Sequence, residues 1–164
     1  LCVLAGYMLI LGPELDRRFA AINLHPALPH GPKGTWQQVI WQLIEQRAPE
    51  TGAMIHLCTD DLDRGPPITY YSFPLTGPSF DALWQQVYDY SIDELKANEG
   101  ETLPLFQHIR AEGVKREPYL LLETIRAFAD GTIKVLDRGA TNAAGEPMSS
   151  YRLNERIEAA LMAN

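Results

Sequence analysis

A chain of 164 residues, 46% hydrophobic and 21% charged, is long enough for one domain with a substantial core, since about 150 residues bury roughly 68–70% of the surface they expose unfolded. Its net charge of −7 excludes a protein that grips nucleic-acid backbone through a basic stripe, while leaving room for a small anionic substrate held locally. The two cysteines, Cys2 and Cys58, fall in apolar strand patterns; they read as reduced core residues and exclude a disulfide framework.

Residues 1–11 are an apolar run with no basic flank before it and no small-residue cleavage pattern after it, so they read as a buried parallel strand and not as a signal peptide. The run is shorter than the roughly 20 apolar residues a bilayer crossing needs, and no membrane partner is expected. Opening in mid-strand, the chain reads as lacking an N-terminal part. Residues 13–19 follow as a short helix, with Pro13 in its first turn and Glu14 and Asp16 near its start.

Ala21, Ile22 and Leu24 alternate as a strand that ends in Asn23, His25 and Pro26, and Pro26 and Pro29 force an irregular loop. Thr35 or Gly34 caps a helix whose apolar face is Val39, Ile40, Leu43 and Ile44, flanked by Trp36 and Trp41 as packing residues. After a turn at 47–51, Gly52 starts a strand carrying Met54, Ile55, His56, Leu57 and Cys58. That strand runs into a loop with Asp60, Asp61 and Asp63, stopped by Gly65-Pro66-Pro67. In an open α/β sheet, ligands bind at such strand ends.

Residues 68–74 read as a strand, with Ile68, Tyr70 and Phe73 against its neighbours. Leu83, Val87, Tyr90, Ile92 and Leu95 give helical spacing across 80–95, broken at 98–101. A further helical stretch begins over 103–109, and a separate amphipathic helix spans 118–129 through Leu120, Leu121, Ile125 and Phe128. A turn at Asp130-Gly131, a strand at 132–136, a turn-rich stretch to Ser149 and a terminal helix over 151–162 complete the chain. His30 and His108 lack a partner pattern and read as exposed.

Asn23-Leu24-His25-Pro26, Leu28-Pro29, Gly34, His56 and Asp61-Leu62-Asp63-Arg64-Gly65-Pro66 match in order, spacing and type the motifs of one family. The chain resembles the folate-dependent formyltransferases, within them the branch acting on glycinamide ribonucleotide. Leu4-Ala5-Gly6-Tyr7-Met8-Leu9-Ile10-Leu11 is similar to the family's loop at the folate pocket, with Leu9 where the family carries arginine. That change preserves backbone contacts and removes any that needs the arginine.

The resemblance implies an α/β, Rossmann-like fold, a mostly parallel sheet flanked by helices, with the N-terminal strands and helices missing. Residues 1–136 would be the C-terminal portion of the formyltransferase domain, with a helical insertion at about 80–110 of roughly 25 residues, a length that loops tolerate. Residues 137–164 would be a C-terminal tail with a helix. Three roles are open to the insertion: covering the site's mouth, altering which amine is accepted, or making a homodimer contact.

Formyl transfer to an amine passes through a tetrahedral species with an oxyanion, so a site needs a donor at that oxygen and a place for the amine's proton. Asn23 and His25 supply donors, and Asp63 supplies the charge. By resemblance, His25 acts on the formyl oxygen, Asn23 fixes it, and Asp63 holds the charge of His25 and relays the proton. Met8, Leu9, Ile10 and Leu11 would line the pterin pocket of the co-substrate 10-formyltetrahydrofolate, beside a loop shaped by Asp60 and Asp61. His56 and Glu117 would contact the amine substrate. Met8, Ile10 and Leu11 read equally well as core residues.

Histidines and aspartates are zinc-compatible, but no H-E-x-x-H or H-x-H spacing is present, and no metal is expected. Ser72, Ser79 and Ser91 lack a Gly-x-Ser-x-Gly elbow. The resemblance also implies a cytoplasmic enzyme of purine biosynthesis, with no nucleic-acid partner. A formyltetrahydrofolate hydrolase or an amino-sugar formyltransferase would use nearly the same residues. A non-catalytic folate-binding module is favoured by Leu9, Ala53 and Met54 and opposed by Asn23, His25 and Asp63.

Overall fold

The structure, a computed structural model, describes residues 2–4, 21–59, 65–136 and 139–163. Its main sheet holds β1 (Cys2–Leu4), β2 (Ala21–His25), β3 (Glu50–Leu57), β4 (Pro67–Pro74) and β7 (Tyr151–Arg152), in the order β1-β2-β3-β4-β7. β1 is parallel to β2 and β7 to β4, whereas the β2–β3 and β3–β4 ladders are antiparallel. The α/β class with flanking helices is as expected, and the sheet, expected to be mostly parallel, is mixed among the described strands. Between β3 and β4 the cause is plain, because their connection is shorter than the roughly dozen residues a parallel crossover needs.

Residue by residue, β3 is buried after Glu50, as befits a strand with neighbours on both sides. α1 (Trp36–Glu45) begins at Thr35, whose side chain accepts the Gln38 N–H while the Gln38 side chain accepts the Thr35 N–H. This reciprocal cap satisfies two N–H groups that a helix start otherwise leaves open. Val39, Ile40, Leu43 and Ile44 form its buried face, and Trp36 and Trp41 pack on Phe106 with ring centroids 5.9 and 5.0 Å away.

The helical spacing across 80–95 divides into α2 (Pro78–Val87) and α3 (Ile92–Asn98), because Ser91 caps α3 with Glu94 as its reciprocal partner. Tyr88 and Tyr90 stand exposed between them. After a short 3-10 turn, α4 (Pro104–Ala129) unites in 26 residues the two helical stretches expected on either side of Pro118. Pro118 offers no N–H to the Val114 carbonyl, but both residues are exposed, so water can take that carbonyl. β5 (Ile133–Leu136) and β6 (Gly139–Asn142) form a separate antiparallel pair.

The terminal stretch is not all helix: β7 joins the edge of β4 before α5 (Asn154–Met162) begins. The Asn154 side chain accepts the Ser72 N–H at 3.0 Å and donates to the Ser72 carbonyl at 2.6 Å. It thereby stands in for another strand residue on β4. Arg116 of α4 donates to Glu112 and to Glu158 of α5, at 2.6 and 2.8 Å, and its guanidinium lies 5.0 Å from the Phe73 ring centre.

Three expectations of burial change as well. Cys2 is exposed and Cys58 half-buried, because Cys2 lies on a strand paired only with β2 among the described strands and Cys58 lies just past the end of β3. His108 is half-buried with its ring 4.6 Å from that of Phe80, α2 having folded against α4. His30 is exposed as expected. The helix expected at 13–19 lies outside the described residues. Among the described residues, no helix is long and apolar enough to cross a membrane.

Candidate functional site

In the β2–β3 ladder Asn23 is opposite His56 and His25 opposite Met54. Side chains alternate along a strand, so these four share one face of the sheet, while Ile22, Leu24, Ile55 and Leu57 share the other. The pairing brings together three of the polar residues that the sequence singles out. They meet although each histidine lies near the C-terminal end of its own strand and the strands run in opposite directions, because β2 has five residues.

His25 and His56 are 3% and 2% exposed. Their rings meet edge to face, 6.4 Å between centroids at 81°. His25 Nε2 lies 3.0 Å from the Pro32 carbonyl, which can only accept, so Nε2 carries a proton. A second proton on the ring would go to Nδ1. His56 Nδ1 likewise donates to the Leu57 carbonyl at 2.9 Å. The loop after β2 is folded back by a turn in which the Gly31 N–H meets the Leu28 carbonyl at 2.8 Å and His30 takes φ 66°.

The aspartate loop leaves and returns beside β3. Leu57 N–H bonds the Pro66 carbonyl at 3.0 Å, and Cys58 N–H bonds the Ala21 carbonyl at 2.8 Å. A Cβ on Gly65 would stand 1.6 Å from the Leu57 carbonyl oxygen, so the return needs glycine. Both ends of the loop are therefore held within two residues of His56. Asp60, Asp61 and Asp63 themselves, and Met8, Leu9, Ile10 and Leu11, lie outside the described residues.

Glu117 is placed differently. It belongs to α4, which is tied to the other face of the sheet through Tyr71 Oη on the Gly113 carbonyl, 3.0 Å, and Thr69 on Thr124, 2.6 Å. Its carboxylate is paired with Arg110 at 2.8 Å. Pro26, Thr51, Gly52, Arg110 and Glu117 border a cavity of about 20 Å³, room for a single water. Burial first, and the Glu117 charge second, push the Tyr71 hydroxyl above its usual range, so it remains a neutral donor. Sequence reasoning missed Arg110 and the Pro32 carbonyl: the first had no motif, and the second is a backbone atom brought round by a loop.

Residues 1–79 match the profile of the family described as formyl transferase. The chain is 36% identical over 88 residues to the phosphoribosylglycinamide formyltransferase of Escherichia coli strain K12, a match covering 52% of this chain and 41% of that enzyme. It spans less than half the length of the curated relatives it matches. Among solved structures it resembles the phosphoribosylglycinamide formyltransferase of Coxiella burnetii, with TM-score 0.61 and 23% identity over 92% of this chain and 59% of that one. The formyltetrahydrofolate deformylase of Burkholderia mallei follows with TM-score 0.53 and 25% identity, over 85% and 41%.

Proposed function

We propose that this chain, whose residues 1–79 match the formyl transferase family profile, is a member of that family and transfers a formyl group from 10-formyltetrahydrofolate to the primary amine of glycinamide ribonucleotide, a step of purine biosynthesis. The observation that carries this reading is the ladder that sets half-buried Asn23 on one face with buried His25 and His56, with the ends of the aspartate loop anchored beside it. A formyl oxygen that gains charge needs preorganised donors in a site closed to water. An asparagine amide and a histidine ring oriented by its Nε2–H bond to the Pro32 carbonyl fit that need.

On this reading Asn23 and His25 hold the oxygen as negative charge develops on it, and Asp63 balances the histidine and takes the amine's proton. Met8 to Leu11, Asp60 and Asp61 hold the pterin. His56 lines the acceptor side, whereas Glu117, paired with Arg110 across the sheet, stands apart from it. A cytoplasmic location and a second copy as partner go with the reading as further proposals.

Loss of formyl from 10-formyltetrahydrofolate is followed in the protein carrying this chain, with and without glycinamide ribonucleotide. Acceptor-dependent loss is expected, falling about 100- to 1000-fold in His25→Ala, as removal of an oxyanion donor does elsewhere, and comparably in Asp63→Asn. Likeness to a deformylase favours a second reading, in which water is the acceptor. Loss that ignores the amine would establish that one, and folate binding without loss would leave a binding module.

A further inference from the structure

Away from the histidines, a second cleft of about 460 Å³ opens between the C-terminal end of α1, the ends of β3 and β4, and helices α2 and α3. Pro49 on its wall is five residues along the strand from Met54, the partner of His25, or about 17 Å at the rise of an extended chain. The volume lies in the range of small-molecule sites, about 300–1,000 Å³. Its floor is Ile44, Leu75, Val87 and Leu95, each at most 6% exposed. Trp84 forms one wall, fixed by its indole N–H on the Leu75 carbonyl at 2.6 Å. Tyr88 and Tyr90 stand at the mouth, 63% and 55% exposed.

Arg47 is the cation of this cleft. It follows α1 with φ 47°, the left-handed residue of a helix stop in which the Arg47 N–H meets the Ile44 carbonyl and the Ala48 N–H the Leu43 carbonyl. The guanidinium is preorganised: it stacks on Tyr88 at 4.3 Å from the ring centre, and Nη2 donates to the Tyr88 carbonyl at 2.9 Å. Stacking and that bond hold a planar fork at the mouth of an apolar, aromatic-walled cleft. An arginine fork is matched in shape and charge to a carboxylate, and Trp84, Tyr88 and Tyr90 match a flat ring.

We propose that this cleft binds a planar aromatic carboxylate, with its ring against Trp84 and the tyrosines and its carboxylate on Arg47. The site is independent of the formyl-transfer reading, since none of its residues belongs to the histidine face. It also gives the segment at 78–98 a role in shaping a second pocket.

The test uses 2-naphthoate and its neutral counterpart 2-naphthamide, titrated by calorimetry into the protein and into variants checked for folding by circular dichroism. Naphthoate is expected to bind at least 10-fold more tightly than the amide, and Arg47→Gln to erase that preference while leaving the amide's affinity unchanged. Ala48→Trp, which fills the cleft, is expected to abolish binding of both probes, and His25→Ala to leave both unaffected. Absence of naphthoate binding to the unaltered protein, or binding that survives both Arg47→Gln and Ala48→Trp in folded variants, overturns the proposal.

Discussion

Gly65 and Gly145 show how the same substitution acts through different physics. At Gly145, in the open turn after β6, φ is 84° and nothing stands within 4 Å of an added Cβ, so alanine there costs only backbone strain, about 1–2 kcal/mol. At Gly65 the added carbon would meet the Leu57 carbonyl oxygen at 1.6 Å, and the loop's return must shift. Gly65→Ala is expected to lower stability by about 1–3 kcal/mol, as overpacking does, and to reduce formyl transfer by more than that loss explains, because the displaced loop carries Asp60, Asp61 and Asp63. Gly145→Ala is expected to leave turnover unchanged in the same assay. Asn23, His25 and His56 were legible as a set because each lies in a strand whose pattern is visible locally. The Arg110 partner of Glu117 was not, since nothing in a single sequence says which residue one turn or two away will turn inward.

Among the elements, α1 was legible almost to the residue: Thr35-x-x-Gln38 makes the cap, and the four apolar positions it predicts are the four that are buried. α4 was not, because a proline normally marks a helix boundary and here packing on both sides of Pro118 overrides it. Alanine at that position would restore the missing N–H for Val114. Pro118→Ala is therefore expected to stabilise the protein by roughly 1–3 kcal/mol, the interior cost of proline less the freedom regained by the unfolded chain, read from the urea midpoint. The clamp between α4 and α5 adds a pH dependence. Burial raises the Glu112 carboxyl, but the hydrogen bond and charge of Arg116 outweigh it and hold the group below its ordinary value of 4.5. A lowered folded value means the contribution is complete above pH 4.5 and disappears as pH falls through the folded value. Urea midpoints are expected to drop below that pH in the native protein, and less steeply in Glu112→Gln.

At the scale of the whole molecule, the sequence pattern gave the α/β class but hid how the last residues attach. A two-residue strand such as β7 has no period of its own, and its existence rests on β4, more than 70 residues earlier in the chain. The consequence is that the stretch expected to be a tail is built into the main sheet. Leu153 and Ile157 are 1% and 0% exposed, each buried side chain contributing about 1.5–3 kcal/mol, and Asn154 satisfies both backbone groups of Ser72. Each of those two hydrogen bonds contributes about 0.5–1.5 kcal/mol net. Together these terms rival the roughly 5–15 kcal/mol that holds an entire domain folded. Removal of residues 151–164 is accordingly expected to abolish the cooperative urea transition and to collapse the dispersion of the amide NMR spectrum. A truncated protein that keeps a sharp transition at the original midpoint would instead mean that β4 holds its edge unaided and that the terminal helix is a separable addition.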